Sequence, residues 1–291
     1  MAATTGIVNA MSVDVEDYYQ VSAFDRVVDR SSWEGRESRV VANTHRLLDL
    51  FDEAETRATF FVLGWIAERH PDLVRSIVSR GHELASHGYG HELVYNLTPA
   101  QFRDDVRRAK AVLEHAGGVP VLGYRAPSYS VVEQSLWALD VLVEEGHVYD
   151  ASIFPIRHDR YGIPDAPRHV HIRTVSAGSI VEMPVATVRW AGLNLPVGGG
   201  GYFRLLPYAF TRWGFSRLNT VEKRPAMFYL HPWEIDPAQP RIAADAVGRL
   251  RHYRNLHKTE GRLRALLSEF RFSTAADVLG LSIPGMHARL A

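Results

Sequence analysis

This 291-residue sequence contains two histidines that could bind a metal ion. A short spacer with two glycines separates them. They lie in the segment Ser86-His-Gly-Tyr-Gly-His91, four positions apart. A helical turn or a tight loop can direct two such imidazoles at one ion. Because the chain contains 14 histidines, this spacing also arises by chance, and both rings could be surface or capping groups. Taken alone, the pair leaves a metal site and a structural role equally open.

An acidic cluster, Asp14-Val-Glu-Asp17, follows an apolar segment near the N-terminus. Metal-assisted hydrolysis needs an anionic ligand and a general base, and these two tasks require carboxylates at slightly different places. Acidic turns are usually only solvated. A cluster of charges is less expected at the end of an apolar strand, however, and this position favours a functional role.

The elements that must position these residues alternate between strands and helices. Strands are predicted over 6–15, 58–63, 83–86, 119–124, 148–152, 180–184 and 226–230, and helices over 39–56, 71–79, 99–115, 132–146 and 207–220. Such alternation predicts a mainly parallel sheet covered by helices, with the site at the carboxyl ends of the strands. Four residues lie at or just after predicted strand ends and can therefore meet on one rim: Asp14, His87, Arg125 and His231.

Composition excludes several classes of protein. Hydrophobic residues make up 46% of the chain, and Lys plus Arg equal Asp plus Glu at 33 each, so no overall field attracts nucleic acid or an anionic membrane. The absence of cysteine excludes thiolate ligands. Since neither a basic and apolar leader nor a run of ~18 apolar residues occurs, we expect a cytoplasmic protein without an integral membrane segment, unless a leader was removed.

Five segments, in order over roughly residues 10–235, resemble the motifs of the polysaccharide deacetylases that share the NodB-type homology domain. They are Asp14 with its following carboxylates, Ser86–His91, Arg125-Ala-Pro-Ser-Tyr129, Tyr149-Asp-Ala-Ser152 and Leu230-His-Pro232. Five motifs in the right order are far more specific than any one of them. Residues 196–204 and 231–237 resemble the branch of this family associated with exopolysaccharide and exosortase gene clusters.

The resemblance implies an α/β fold, a single distorted (β/α) barrel with about seven parallel strands. Residues 1–291 would form one domain, with a core over about 10–235 and a C-terminal helical extension over about 240–291. The implied activity is metal-dependent removal of N-acetyl groups from an N-acetylated sugar, oligosaccharide or exopolysaccharide precursor. That carbohydrate would be the partner of the protein.

The resemblance also implies roles for single residues. His87, His91 and one carboxylate would hold the metal, with zinc as the default and cobalt, nickel or iron as alternatives. Asp14 would be the base, and His231 would protonate the leaving amine. Arg125 would hold Asp14 in place, and Asp150 would either orient His231 or cap a helix or turn. A backbone N–H near Tyr129 would stabilise the oxyanion. The expected substrate contacts are Tyr129, Pro127, Tyr89, Tyr202 and Trp233.

The first motif departs from the family pattern, in which two adjacent aspartates serve as base and ligand. Val15 follows Asp14 here, so the ligand is either Glu16 or Asp17. In an extended strand, Asp14 and Glu16 share one face, which favours Glu16. A turn that begins at Val15 would instead bring Asp17 beside Asp14.

Two other functions stay open. Related barrels hydrolyse a small cyclic amide or ureide with the same kind of site, and the chain could also be a non-catalytic carbohydrate-binding or assembly protein. A binder does not need both a base and an acid, so the intact set of Asp14, Arg125 and His231 argues against it. The basic stretch 249–264 is typical of a solvated helix face, although it could contact a lipid-linked substrate at a membrane surface. The sequence leaves the oligomeric state open.

Overall fold

The computed structural model of the protein describes residues 6–282. Its strands are β1 (Val8–Val15), β2 (Thr59–Val62), β3 (Glu83–Ser86), β4 (Gly123–Tyr124), β5 (Tyr149–Asp150), β6 (His171–Val175), β7 (Gly178–Glu182), β8 (Thr187–Trp190), β9 (Leu193–Pro196), β10 (Met227–Leu230) and β11 (Arg271–Ser273). Its α-helices are α1 (Val40–Glu53), α2 (Gly64–Arg69), α3 (Pro71–Ser79), α4 (Pro99–Gly117), α5 (Ala138–Glu144), α6 (Gly200–Leu205), α7 (Tyr208–Thr220), α8 (Ala246–Tyr253), α9 (Leu256–Glu269) and α10 (Ala275–Leu279).

Seven parallel strands form the central sheet, in the order β10-β1-β2-β3-β4-β5-β7. Strand β6 extends the sheet as an antiparallel neighbour of β7. A parallel bridge between Val185 and Met227 joins the segment after β7 to β10, so the two ends of the sheet approach each other. The predicted α/β fold, a distorted barrel with about seven parallel strands, is confirmed.

Side-chain alternation along β1 separates the barrel interior from the helical layer. Val13 and Val15 pack in the large outer core with residues of α1 and α3, such as Leu47 and Ile77. Ala10, on the other face, belongs to the interior cluster. Because successive strand residues point to opposite faces, Asp14 faces the interior as well. The strand therefore delivers this carboxylate to the inside of the barrel at its carboxyl end.

The opposite end of the barrel is closed by a buried polar cluster around Glu83, the first residue of β3. Its carboxylate accepts hydrogen bonds from Thr59 Oγ1 at 2.6 Å, from the Tyr149 hydroxyl at 2.8 Å and from the Ala276 N–H at 3.0 Å. The last donor belongs to α10, which covers this end. Burial raises the pKa of Glu83. Access to the interior is thus left at the carboxyl ends of the strands.

Some elements differ from the sequence prediction. The strand predicted over 119–124 contains only Gly123 and Tyr124, and the Val121 N–H donates instead to Glu114 of α4 at 3.0 Å. The helix predicted over 132–146 is divided into a 3-10 turn (Glu133–Ser135) and α5. Segments without a prediction form the hairpin β8–β9 and the strand β6.

The C-terminal part of the chain also contains more than the expected helices. Helices α8, α9 and α10 lie there, but β11 intervenes and pairs in parallel with the first residues of β1. The end of the expected extension, residues 283–291, lies outside the described range, as do residues 1–5. Within residues 6–282, none of the helices is long and apolar enough to cross a membrane.

Candidate functional site

The two histidines of the second motif lie on a tight loop after β3, not on a helix. Asp105 of α4 holds this loop, because its carboxylate accepts two backbone N–H bonds, from Tyr89 at 2.9 Å and from Gly90 at 3.3 Å. Gly88 adopts a φ of 74°, and a Cβ there would lie 2.8 Å from the Asp105 carboxylate. The close approach requires glycine and brings His87 and His91 together.

Glu16, His87 and His91 form a buried cluster that could hold a metal ion. One ligand atom from each residue lies within 4.8 Å of the other two. His87 Nδ1 lies 2.8 Å from the Arg125 carbonyl oxygen, so Nδ1 carries the proton and the Nε2 lone pair is free. His91 Nε2 lies 2.7 Å from Glu16 Oε2. Within residues 6–282, the buried atoms without a hydrogen-bond partner include His87 Nε2 and His91 Nδ1, whereas Glu16 Oε2 contacts the His91 ring.

These donors fit a transition metal such as zinc. Two imidazoles and one carboxylate are a common catalytic ligand set that leaves a position open for water. Burial lowers the pKa of His87 to about 3, so its ring is neutral at neutral pH. Burial would raise the pKa of Glu16, but His91 and His231 outweigh it and keep the carboxylate ionised. Buried polar atoms without partners are costly, and a bound cation would satisfy them.

Asp17, the other candidate ligand, lies outside this cluster. Its Oδ2 accepts hydrogen bonds from the Ser38 hydroxyl at 2.8 Å and from the N–H groups of Arg39 at 2.9 Å and Val40 at 3.2 Å. These groups stand at the start of α1, where backbone N–H groups lack partners within the helix. The structure therefore separates the two carboxylates: Glu16 faces the histidines, and Asp17 stabilises the start of a helix.

Asp14 and Arg125 form a buried ion pair at the rim of the barrel. Arg125 is 0% exposed, and its Nη1 donates to Asp14 Oδ1 at 2.5 Å and to Ser12 Oγ at 2.9 Å. The second oxygen, Asp14 Oδ2, lies 3.9 Å from His231 Nε2. Arg125 therefore holds one carboxylate oxygen and leaves the other directed towards the cavity.

His231 follows β10, and its two ring nitrogens have different surroundings. Nδ1 lies 2.7 Å from Glu234 Oε1, whereas Nε2 lies 3.4 Å from Glu16 Oε1. Burial would lower the pKa of His231, but Glu16, Glu234 and Asp14 raise it to about 9. The ring is thus held by Glu234 through Nδ1 and presents Nε2 to the two carboxylates of the first motif.

The sequence interpretation missed Glu234, which takes the place expected for Asp150. Glu234 Oε1 also accepts the His231 N–H at 3.1 Å, and Oε2 lies 2.6 Å from Arg204 Nε. Although burial would raise the pKa of Glu234, Arg204 and His231 lower it to about 2. The signal was the i, i+3 spacing of His231 and Glu234 around a proline, typical of a capped 3-10 turn, here Pro232–Ile235.

Asp150 lies elsewhere, at the end of β5. Its Oδ1 accepts a hydrogen bond from Ser152 Oγ at 2.5 Å, and its Oδ2 accepts one from the Ser152 N–H at 3.2 Å. Burial raises the pKa of Asp150 and of the neighbouring Glu182 carboxyl. Asp150 therefore has the turn-capping role that the sequence left open, and the His231 partner is Glu234.

The catalytic candidates line a cavity of about 190 Å³. Among the described residues, its walls include Asp14, Glu16, His87, His91, Ser128, Tyr129, His158, Arg160, Tyr161, Gly201, Arg204, Tyr229, His231, Trp233, Arg251 and His252. Of the five expected substrate contacts, Tyr129 and Trp233 line this cavity. The other three, Pro127, Tyr89 and Tyr202, are not among the lining residues.

The expected contacts of three aromatic residues need correction. Trp233 is buried, and its ring stacks with His231 at 5.0 Å and with His252 at 4.1 Å between ring centroids, so it is not free to stack on a sugar. Tyr89 instead packs against Arg108, whose guanidinium lies 3.6 Å from the ring centroid. The Tyr129 N–H, expected to meet an oxyanion, donates to the Ala126 carbonyl at 3.1 Å.

The chain is similar to known deacetylases. Residues 24–142 match the polysaccharide deacetylase family model, and residues 151–280 match a domain of unknown function, DUF3473. Peptidoglycan-N-acetylglucosamine deacetylase from Bacillus cereus is 29% identical over 98 residues, covering 33% of this chain and 36% of that protein. Chitooligosaccharide deacetylase from Sinorhizobium fredii is 32% identical over 146 residues, covering 47% of this chain and 63% of that protein.

Solved structures show the same fold along nearly the whole chain. A candidate polysaccharide deacetylase from Mycobacterium smegmatis superposes with a TM-score of 0.63 at 21% identity, covering 94% of this chain and 91% of that one. An allantoinase superposes with a TM-score of 0.62 at 15% identity, covering 96% and 90%. The resemblance to polysaccharide deacetylases is confirmed by the family model, which matches residues 24–142. The exopolysaccharide branch stays a prediction.

Proposed function

We propose that the protein is a metal-dependent hydrolase that removes the acetyl group from an N-acetylated sugar. The observation that carries this proposal is the buried Glu16-His87-His91 cluster with unpartnered ligand atoms, in one cavity with Asp14 and His231. A ligand set, a carboxylate oriented by Arg125 and an imidazole oriented by Glu234 are the parts that amide hydrolysis requires.

In this mechanism, Glu16, His87 and His91 would hold the metal. When bound, the metal would lower the pKa of a water molecule and polarise the acetyl carbonyl. Asp14 Oδ2 accepts a proton from the attacking water as the water oxygen bonds to the carbonyl carbon. The carbon–nitrogen bond then breaks, and His231 Nε2 donates a proton to the departing amine. The products are acetate and the free amino sugar.

Arg125 and Glu234 act in this mechanism as positioning residues. Arg125 binds Asp14 Oδ1 and leaves Oδ2 free to accept a proton. Glu234 binds the Nδ1 side of His231, which leaves Nε2 as the atom that delivers its proton. Neither side chain needs to touch the substrate, because each sets the orientation of the residue that does.

An acetate-release assay tests this function. The purified protein is incubated with N-acetylated chitotetraose, a nucleotide-linked N-acetylhexosamine or a lipid-linked N-acetylhexosamine. Each incubation is run with and without a chelator and after zinc is restored. We expect acetate from at least one of them, its loss with chelator and its recovery with metal. Allantoin is included because an allantoinase shares the fold. Hydrolysis of allantoin without acetate release from any sugar would replace the proposal with the ureide alternative.

Removal of the Glu234 charge is expected to reduce turnover with little change in substrate binding. In Glu234→Gln the amide keeps the shape of the side chain, but the strong ionic bond to His231 Nδ1 is lost. We expect kcat to fall by ~10–100-fold while KM changes little, as is typical when a residue that orients a catalytic side chain is changed. The measurement is steady-state acetate release, with thermal unfolding recorded in parallel.

Asp236→Asn is the matched control for Glu234→Gln. Asp236 is also a buried carboxylate beside the same turn, but its arginine partner is Arg39, at 2.5 Å, and it makes no contact with His231. If the two variants lost kcat equally, the effect would reflect destabilisation of the turn, and Glu234 would have no positioning role.

A further inference from the structure

Three arginines line the active-site cavity in addition to the proposed catalytic residues. Arg204 is buried, and its Nε lies 2.6 Å from Glu234 Oε2, so its charge is already compensated. Arg160 and Arg251 are exposed on the cavity wall. These two guanidinium groups have no task in the hydrolysis mechanism.

The backbone positions of both arginines are well defined by packing. Arg251 belongs to α8, and its carbonyl oxygen accepts a hydrogen bond from Arg204 Nη1 at 2.8 Å. Arg160 precedes Tyr161, whose ring stacks on His158 with 3.9 Å between centroids and on Phe154 with 6.0 Å. The buried Arg204 and the stacked rings therefore keep the two exposed arginines at the cavity.

The charges of Arg160 and Arg251 are poorly compensated by the protein. Among residues 6–282, Arg160 has no carboxylate within ion-pair distance, although it interacts electrostatically with Asp25 at longer range. Arg251 Nη1 lies 3.9 Å from Asp159 Oδ2, and that aspartate is 63% exposed. An exposed pair at this distance contributes little. Asp14 is bonded to Arg125, and Glu16 to the histidines, so they do not neutralise these arginines.

We propose that Arg160 and Arg251 bind an anionic group of the substrate, a phosphate ester or a carboxylate attached to the N-acetylated sugar. Guanidinium groups suit such planar or tetrahedral anions because they offer several fixed N–H donors. A neutral sugar would leave both arginines merely solvated. The identity of the sugar rests on the proposed function, whereas the anion site rests on the cavity wall alone.

The test measures binding of deacetylated probes, which cannot turn over, to the protein as purified. Glucosamine is compared by calorimetric titration with glucosamine 1-phosphate, glucosamine 6-phosphate and muramic acid. We expect at least one anionic probe to bind at least about tenfold more tightly than glucosamine, a preference that falls as NaCl is raised. The best anionic probe distinguishes a phosphate ester from a carboxylate. Equal affinity for all four probes would overturn the proposal.

Substitutions show whether the arginines are responsible. The double variant Arg160→Gln/Arg251→Gln is expected to lose the preference, and Arg249→Gln to retain it, because Arg249 is an exposed arginine of the same helix that does not line the cavity. A preference that survives in the double variant would show that the anion binds elsewhere, such as at a metal, and would also overturn the proposal.

Acetate release from neutral chitotetraose separates this inference from the proposed function. If the wild type and the double variant both release acetate but charged and neutral probes bind equally, the anion site is refuted and the deacetylase function stands. If the arginine-dependent preference is present but no N-acetylated sugar loses acetate, the anion site stands and the deacetylase function fails.

Discussion

Asp14→Asn is expected to keep its bound metal and lose most of its turnover. Asparagine preserves the shape of the side chain, and its oxygen can still accept the Arg125 hydrogen bond now made to Oδ1 at 2.5 Å. The atom that replaces Oδ2 is an amide nitrogen, which cannot take a proton from water. Loss of a general base typically reduces the rate by ~10²–10⁴-fold. The measurement is kcat for acetate release, with metal content determined on the same samples.

Asp17→Asn is the control for this experiment. Asp17 is a buried carboxylate three positions away that bonds to the start of α1 and not to the cavity. We expect its turnover to stay near that of the wild type, with a stability loss of roughly 1 kcal/mol, as for a lost helix cap. Undiminished turnover of a metal-loaded Asp14→Asn protein would mean that another group is the base.

Elements with local start and stop signals could be predicted closely from the sequence. The helix predicted over 71–79 and the strand predicted over 83–86 have these bounds in the structure. Helix α4 begins after a Thr98 capping box and ends before Gly118, which has a φ of 64°. Proline, the capping threonine and glycine act through nearby backbone groups, so their signals are contained in the segment itself.

Elements that depend on distant partners could not be predicted in this way. Strand β11 has three residues, and it exists because it pairs with the start of β1, more than 260 positions earlier. Strand β4 is short for a more local reason, since the Val121 N–H bonds to the side chain of Glu114 in the preceding helix. The carboxyl ends of parallel strands share one edge of a sheet, and the strand-end positions of Asp14, His87 and His231 therefore did carry information about their proximity.

The finer details of the site required the three-dimensional structure. The sequence analysis considered Asp150 as the partner of His231, whereas a neighbouring turn brings Glu234 to the ring. Trp233 was expected to stack on a sugar, but its ring is buried and stacks with the imidazoles of His231 and His252. The two predictions concern side-chain directions, which depend on packing between segments far apart in sequence.

Glu16→Gln is expected to have the largest effect on metal affinity. The substitution retains a side chain of similar size, and the Trp233 N–H that now donates to Oε1 at 3.3 Å can still find an acceptor. It removes the negative charge, however, and leaves two neutral imidazoles as ligands. We expect the affinity for zinc to fall by well over the ~10–100-fold that is typical when a residue behind the ligands is changed. Competitive zinc titration against a chelator measures this affinity.

Asp17→Asn is the control that shows whether the loss of zinc affinity in Glu16→Gln comes from the loss of a metal ligand. Its carboxylate faces the backbone N–H groups of Arg39 and Val40 and lies outside the cluster, so its loss can reach the metal only by loosening the segment after β1. We expect its zinc affinity to stay within ~10–100-fold of the wild type. Thermal unfolding of both variants separates lost ligation from lost fold. If Asp17→Asn released zinc more readily than Glu16→Gln, the chain would turn earlier after β1, and Asp17 would be the ligand.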